Sequence, residues 1–320
     1  MLKPAIEVGN GSVRTRMELT PGICVRPAAQ LAQAGRLMIS SGAQTAAAAG
    51  LADAYVMSAW VPRVPWSSLT KAQVGILVAG GDASPPGVTV EILSPSGREA
   101  QIASRKTIAL GTHLLTGHPD ATNQFTSDVI DAACDLIGAL TESTTRRFCY
   151  ASALHLVMNR PGLLTTTRDP SQGDRLLGLH VDSHERMPLS ERALSRRLLT
   201  VNLTPEPRAL LFVHLSIAQV YDVMRAVDPS FSRATNDATG LARAFLAVVQ
   251  SYPVLRLVLG PGEACLAPVQ NMIHDGCTEC RTHTDLTARA FGEYEEADIK
   301  RLLPTESGET SWGRKPTAVK

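Results

Sequence analysis

Between residues 154 and 291 the chain is written as short apolar runs, each stopped by a Pro- or Gly-bearing turn. Runs this short match strands better than helices, which need a longer repeat to bury a face. Residues 198–203 and 209–217 flank Thr204-Pro205-Glu206-Pro207 and read as a hairpin or its near relative. Residues 154–158 and 252–259 read as further strands, the second ended by Gly260-Pro261-Gly262, and residues 284–291 as a closing strand. Two stretches carry the helical period instead. Val129, Ile130, Ala133, Leu136, Ile137 and Leu140 recur on one face over residues 127–141, with Thr126 or Ser127 as a cap and Asp128 in the first turn. Residues 240–250 give the second helix, with Asn236 or Asp237 near its start. The expected class is mixed α+β, a β-rich core with helices packed outside it.

The N-terminal part is less patterned. Residues 36–39, 74–78 and 88–93 are compatible with strands, and Ser94-Pro95-Ser96-Gly97 is a turn leading into residues 99–108, which suggests a small hairpin. A chain of 320 residues with 44% hydrophobic content can bury a full core. The organisation expected is one elaborated domain over residues 1–303, with an N-terminal annex to about residue 110, a core over about 145–295, and a flexible tail over 304–320. Basic and acidic residues nearly balance (31 and 30, net +1) and aromatic residues are 4%, so neither an electrostatic footprint nor a stacking surface points to nucleic acid. The six cysteines are irregularly spaced and form no disulfide framework. With no signal-like start and no apolar run of membrane-spanning length, a soluble, cytoplasmic protein without a membrane partner is expected. Oligomeric state is not legible.

Within this β-rich region lies His180-Val181-Asp182, with His274 about ninety residues downstream. Side chains at i and i+2 of a strand point the same way, so residues 176–183, read as a strand, would present an imidazole and a carboxylate together. A distant strand folding alongside can add a third ligand. Two histidines and one carboxylate on one face of an ion are the ligand set of non-heme Fe(II) oxygenases.

His180-x-Asp182, His274 in the setting Pro268-x-x-Asn271-x-Ile273-His274-Asp275-Gly276, and an arginine on the strand that follows together resemble the 2-oxoglutarate-dependent Fe(II) oxygenase superfamily. The resemblance covers roughly residues 152–291. It implies a double-stranded β-helix, a jelly roll of the cupin kind, with the metal in its mouth. It makes His180, Asp182 and His274 the iron ligands and Arg289 the anchor for the far carboxylate of 2-oxoglutarate, with Arg281 ranked second because it lies closer to His274 than the family spacing. A planar guanidinium suits that task, since it binds a carboxylate through two parallel hydrogen bonds. The activity implied uses molecular oxygen to hydroxylate a small-molecule substrate, amino-acid-like or a natural product, with release of succinate and CO2. Desaturation and cyclisation are related outcomes. Because Asp182 is a carboxylate and not a small residue, halogenation is not implied.

Other residues carry alternatives. Thr200 and Asn202 alternate on one face of their strand and can hydrogen-bond 2-oxoglutarate or cover the core as polar caps. His214, inside an apolar run, reads as a core or channel-lining histidine ahead of a fourth ligand. His184 fits a loop at the mouth of the site, Asp275 can orient a partner of a ligand, and Asn159-Arg160 can line the mouth or close a turn. His274, Cys277, Cys280 and His283, spaced three apart, raise a zinc site, although ten consecutive residues rarely enclose a tetrahedral ion. Two other functions therefore stand beside the oxygenase: a cupin-like metalloenzyme without 2-oxoglutarate, and a zinc-stabilised binding protein.

Overall fold

The strand Arg208–Ser216 sets the layering. All nine of its residues are buried, and successive side chains go to opposite faces. Ala209, Leu211, Val213 and Leu215 pack outward against the helices Ile217–Val227 and Ala238–Val248. Leu210 and Phe212 pack inward against a second sheet, meeting Val90, Ile92, Cys265 and Ala267. Burying one such Leu or Phe stabilises the fold by about 1.5–3 kcal/mol, so this doubly covered strand is a major source of cohesion. We describe here a computed structural model, which covers residues 6–9, 12–15, 22–31, 35–78, 86–116, 122–142, 146–232 and 237–296.

Five strands form the sheet around Arg208–Ser216, in the order Met272–Cys277, Arg208–Ser216, Leu255–Leu259, Leu37–Ile39 and Ser67–Ser68. The facing sheet runs His155–Asn159, Asp285–Glu296, Arg197–Asn202, Ala264–Ala267, Thr89–Leu93 and Cys24–Arg26, with Arg146–Tyr150 also paired to Asp285–Glu296. Its pairs are antiparallel except Cys24–Arg26 against Thr89–Leu93. Leu199 and Val201 turn to the outside of this sheet, where Val129, Ala133, Leu136, Ile137 and Leu140 of the helix Thr122–Glu142 cover them. The helix Arg98–Thr116 joins that layer and comes so close at Gly111 that a Cβ there would lie 2.4 Å from the carbonyl oxygen of Leu203. The result is a mixed α+β arrangement of helices, sheet, sheet and helices. Among the described residues the two sheets do not close into one hydrogen-bonded barrel.

Several expectations hold and several are corrected. The helices over 127–141 and 240–250 are present as Thr122–Glu142 and Ala238–Val248, the latter capped by the Asp237 side chain on the Gly240 N–H. Residues 74–78 are helical, not a strand: Thr70 and Gln73 form a reciprocal cap that starts the helix Lys71–Leu77. Residues 99–108 belong to the helix Arg98–Thr116, not to a hairpin. The runs at 198–203 and 209–217 are both strands but do not pair with each other; the turn at 204–207 carries the chain from one sheet to the other. Strands from before residue 110 are woven into both sheets. The tail over 304–320 lies outside the described residues. No helix among those described is long and apolar enough to cross a membrane.

Candidate metal centre

Gly178 starts the local geometry. Its φ of +75° and the Trp60 carbonyl oxygen 2.4 Å from where a Cβ would stand both demand glycine. That bend ends the expected continuous strand over 176–183: regular pairing stops at Leu176, and His180 is held by an isolated bridge to His274. The bridge is two-way, with His180 N–H donating to His274 O at 3.1 Å and His274 N–H to His180 O at 2.8 Å. The Asp182 N–H then donates to Val269 O, and the buried Arg192 guanidinium donates to the carbonyls of Asp182 and Gln270 and to the Ser183 hydroxyl. Two remote segments are thereby pinned together.

Val181 packs into the outer core while its neighbours turn toward each other, so the i, i+2 relation survives without a strand. His180 Nε2 lies 3.3 Å from Asp182 Oδ1, and His274 Nε2 lies 4.0 Å from Asp182 Oδ2. Donor atoms of the three residues fall within 4.8 Å of one another, and no other group of three or more His, Cys, Asp or Glu does so among the described residues. Ligands at right angles on metal bonds of ~2.1 Å stand about 3 Å apart, so small side-chain rotations bring all three onto one ion. The rings are oriented for it. His180 Nδ1 faces Gly178 O at 2.9 Å and His274 Nδ1 faces Met272 O at 3.3 Å, which places a proton on each Nδ1 and directs each Nε2 inward.

Charge around the centre is sharply divided. Burial and the neighbouring His180 push His274 down to about 4, keeping it neutral as a ligand must be. Burial would lower His180 too, but the carboxylates of Asp182 and Asp275 outweigh it and hold the ring up at about 10. Partial burial would raise Asp182, yet hydrogen bonds from His180 and His184 hold it well below the carboxylate range. A metal ion held by these donors would take the place of the His180 Nε2 proton.

Asp275 is fully buried behind His180. Its Oδ1 accepts from the N–H and hydroxyl groups of Thr166 and Thr167 and from the Gly276 N–H, leaving Oδ2 3.4 Å from His180 Nδ1. Asp275 thus faces the candidate ligand His180 itself, and not a partner of a ligand. His184 is exposed, 3.6 Å from Asp182 and edge-on to Phe291, at the lip of the site.

The donors open into a cavity of about 420 Å³ between the sheets, a volume that suits a small molecule. Comparison with protein-family models, curated proteins and solved structures gives no match for this chain. Its chemistry must be read from the lining. Arg289 lines the cavity with part of its surface open to it, and its Nε donates to the Thr287 hydroxyl at 3.3 Å. No carboxylate among the described residues forms an ion pair with it. Burial first and the Arg208 charge second lower it to about 10, so it stays cationic at neutral pH. Thr200, directly across the ladder from Arg289, also lines the cavity.

Asn202 does not. Its amide donates to the carbonyls of Glu206, Leu259 and Gly260, and its oxygen accepts from Thr204, so it fastens a turn. Arg281 is likewise turned away, donating to Glu206 O, Thr204 and Thr284 O. His214 is a buried core residue beside Tyr252, and Asn159 donates to Asp285. The proposed zinc ligands diverge: Cys277 is buried, the Cys280 sulfur accepts from Arg256, and His283 bonds Glu206. Three lining arginines, Arg168, Arg208 and Arg243, carry no sequence signal beyond an isolated charge near an apolar stretch.

Proposed function

We propose that this protein is an Fe(II)- and 2-oxoglutarate-dependent oxygenase that hydroxylates an unactivated carbon of a small, amino-acid-like or natural-product substrate, releasing succinate and CO2. One observation carries the reading: two imidazoles and one carboxylate converge at a cavity that also contains Arg289, a guanidinium without a carboxylate partner among the described residues. The double-stranded β-helix reading goes with it, supported by two facing sheets and by the edge strand bearing His274, to which the His180 segment is bridged.

His180, Asp182 and His274 would hold the iron, and Arg289 the remote carboxylate of 2-oxoglutarate, with the Thr200 hydroxyl beside it. Bound there, iron and 2-oxoglutarate supply oxygen activation, which no side chain can provide. The protein's own part is placement. The Gly178 carbonyl fixes the His180 ring with the Asp275 charge behind it, Arg192 fixes the loop that carries Asp182, and Leu198, Leu210, Ala267 and Phe291 line the cavity with apolar surface that excludes water. Asp182 occupies the carboxylate position, which leaves hydroxylation the leading outcome.

Uncoupled succinate release from 2-oxoglutarate under oxygen tests this directly. H180A, D182A and H274A are each expected to abolish it, and R289A to raise the KM for 2-oxoglutarate roughly 10- to 100-fold, the worth of a charge-assisted pair. Activity lost in H274A but unchanged in R289A would favour a cupin-like metalloenzyme that does not use 2-oxoglutarate.

A further inference from the structure

Asp182 is the single carboxylate among the residues that line the cavity, against four arginines, Arg168, Arg208, Arg243 and Arg289. Two of the four have a counter-charge. Arg208 pairs with the buried Asp285 at 3.5 Å, and Arg289 is assigned to 2-oxoglutarate in the reading above. The other two form no ion pair among the described residues. Arg168, exposed on its short strand, donates one hydrogen bond to the Asp174 carbonyl at 3.3 Å and forms no ion pair. Arg243, half-buried on the helix Ala238–Val248, forms none either among the described residues. Asp169 acts on Arg243 through space but does not line the cavity, and its two oxygens are engaged by Ser171 and Gln172.

Their placement is not loose. Thr239 of the same helix donates to the Val181 carbonyl at 3.3 Å, which ties the Arg243 helix to the segment bearing His180 and Asp182. Arg168 follows Thr167, whose N–H and hydroxyl both hold Asp275. Both arginines are thus tied to the metal centre through their own elements, and both are more exposed than the buried Arg208 that lines the same cavity. A divalent ion with Asp182 and Arg289 carries the charge that the two carboxylates of 2-oxoglutarate neutralise. Nothing then remains inside to offset Arg168 and Arg243. Two arginines facing one cavity whose lining holds no carboxylate beyond Asp182 give it a positive potential that favours a ligand of opposite charge.

We infer that the substrate carries an anionic group, a carboxylate or a phosphate, held at the cavity mouth between Arg168 and Arg243, with the rest of the molecule extending toward the metal. This rests on the oxygenase reading for the disposal of Arg289. The test is equilibrium dialysis under nitrogen of the full chain loaded with Mn(II) and 2-oxoglutarate. The probes are a mixed set of small carboxylates, phosphate monoesters and the neutral esters or amides of the same skeletons, read by mass spectrometry. Anions are expected to be retained about tenfold or more over their neutral counterparts, and R168Q/R243Q to lose that preference, as the removal of charge-assisted bonds requires. The single variants R168Q and R243Q, each expected to lose part of it, cover the case in which the double variant does not fold. Whether carboxylates or phosphates dominate identifies the group. Equal retention of neutral and anionic members, retention unchanged in the variants, or no anion retained overturns the inference. Retention of 2-oxoglutarate itself is read in the same dialysis; its failure counts against the oxygenase reading, not against the two arginines.

Discussion

Hydrogen bonds from Thr166, Thr167 and Gly276 converge on one oxygen of Asp275 and leave the other facing His180. Replacing Asp275 by Asn removes the charge behind the ring and turns an N–H₂ group toward its Nδ1–H. D275N is expected to keep the fold and bind Mn(II) about 10- to 100-fold more weakly by calorimetric titration; unchanged affinity would show that His180 needs no such support. Gly276 has a different task. A Cβ there would come 2.5 Å from the Thr166 hydroxyl and 2.7 Å from Arg208 Nη2, so G276A is expected to lose about 1–3 kcal/mol in denaturant unfolding, the usual penalty of overpacking. The metal donors were legible in the chain because His180-x-Asp182 and the Asn271 to Gly276 segment are local patterns. Arg168, Arg208, Arg243 and the threonines behind Asp275 were not. An arginine that lines a cavity leaves no periodic trace, and Asn202 reads as a site residue only because alternation cannot distinguish a cavity from a turn.

At the scale of elements, the crossing at residues 204–207 shows what sequence pattern leaves open. Two apolar runs around Pro205 and Pro207 suggest a hairpin, but strand pairing is decided by partners far along the chain, and here each run joins a different sheet. Helices suffered differently. The apolar run of Arg208–Ser216 continues into Ile217, so the helix Ile217–Val227 is hidden unless Ser216 and Gln219 are recognised as a reciprocal cap. The crossing itself is latched by Glu206, which accepts from Thr282 and His283 and is thereby held down to about 2. A carboxylate lowered on folding contributes its stability above its ordinary value near 4.5 and loses it as pH falls through the folded value. Wild type is therefore expected to melt higher than E206Q at pH 6, with the gap closing between about pH 4.5 and 2. A gap independent of pH would mean that the latch works through shape and not through charge.

Across the whole molecule, two facing sheets explain why residues about ninety positions apart share one centre. The α+β class and the outer helices Thr122–Glu142 and Ala238–Val248 followed from periodicity, while the sheet edge where His180 and His274 exchange backbone hydrogen bonds had no local signature. The cavity lies between the sheets beside that edge, with apolar walls from both, three donors that could hold a metal ion and an excess of arginines. The central claim is that these parts bind Fe(II) and 2-oxoglutarate together. Anaerobic titration of the metal-free protein with both, followed by visible absorption, tests it most directly. A weak charge-transfer band that needs both components and is absent in H274A is the expected result. A folded protein that gives no band, or a band that survives in H274A, would contradict it.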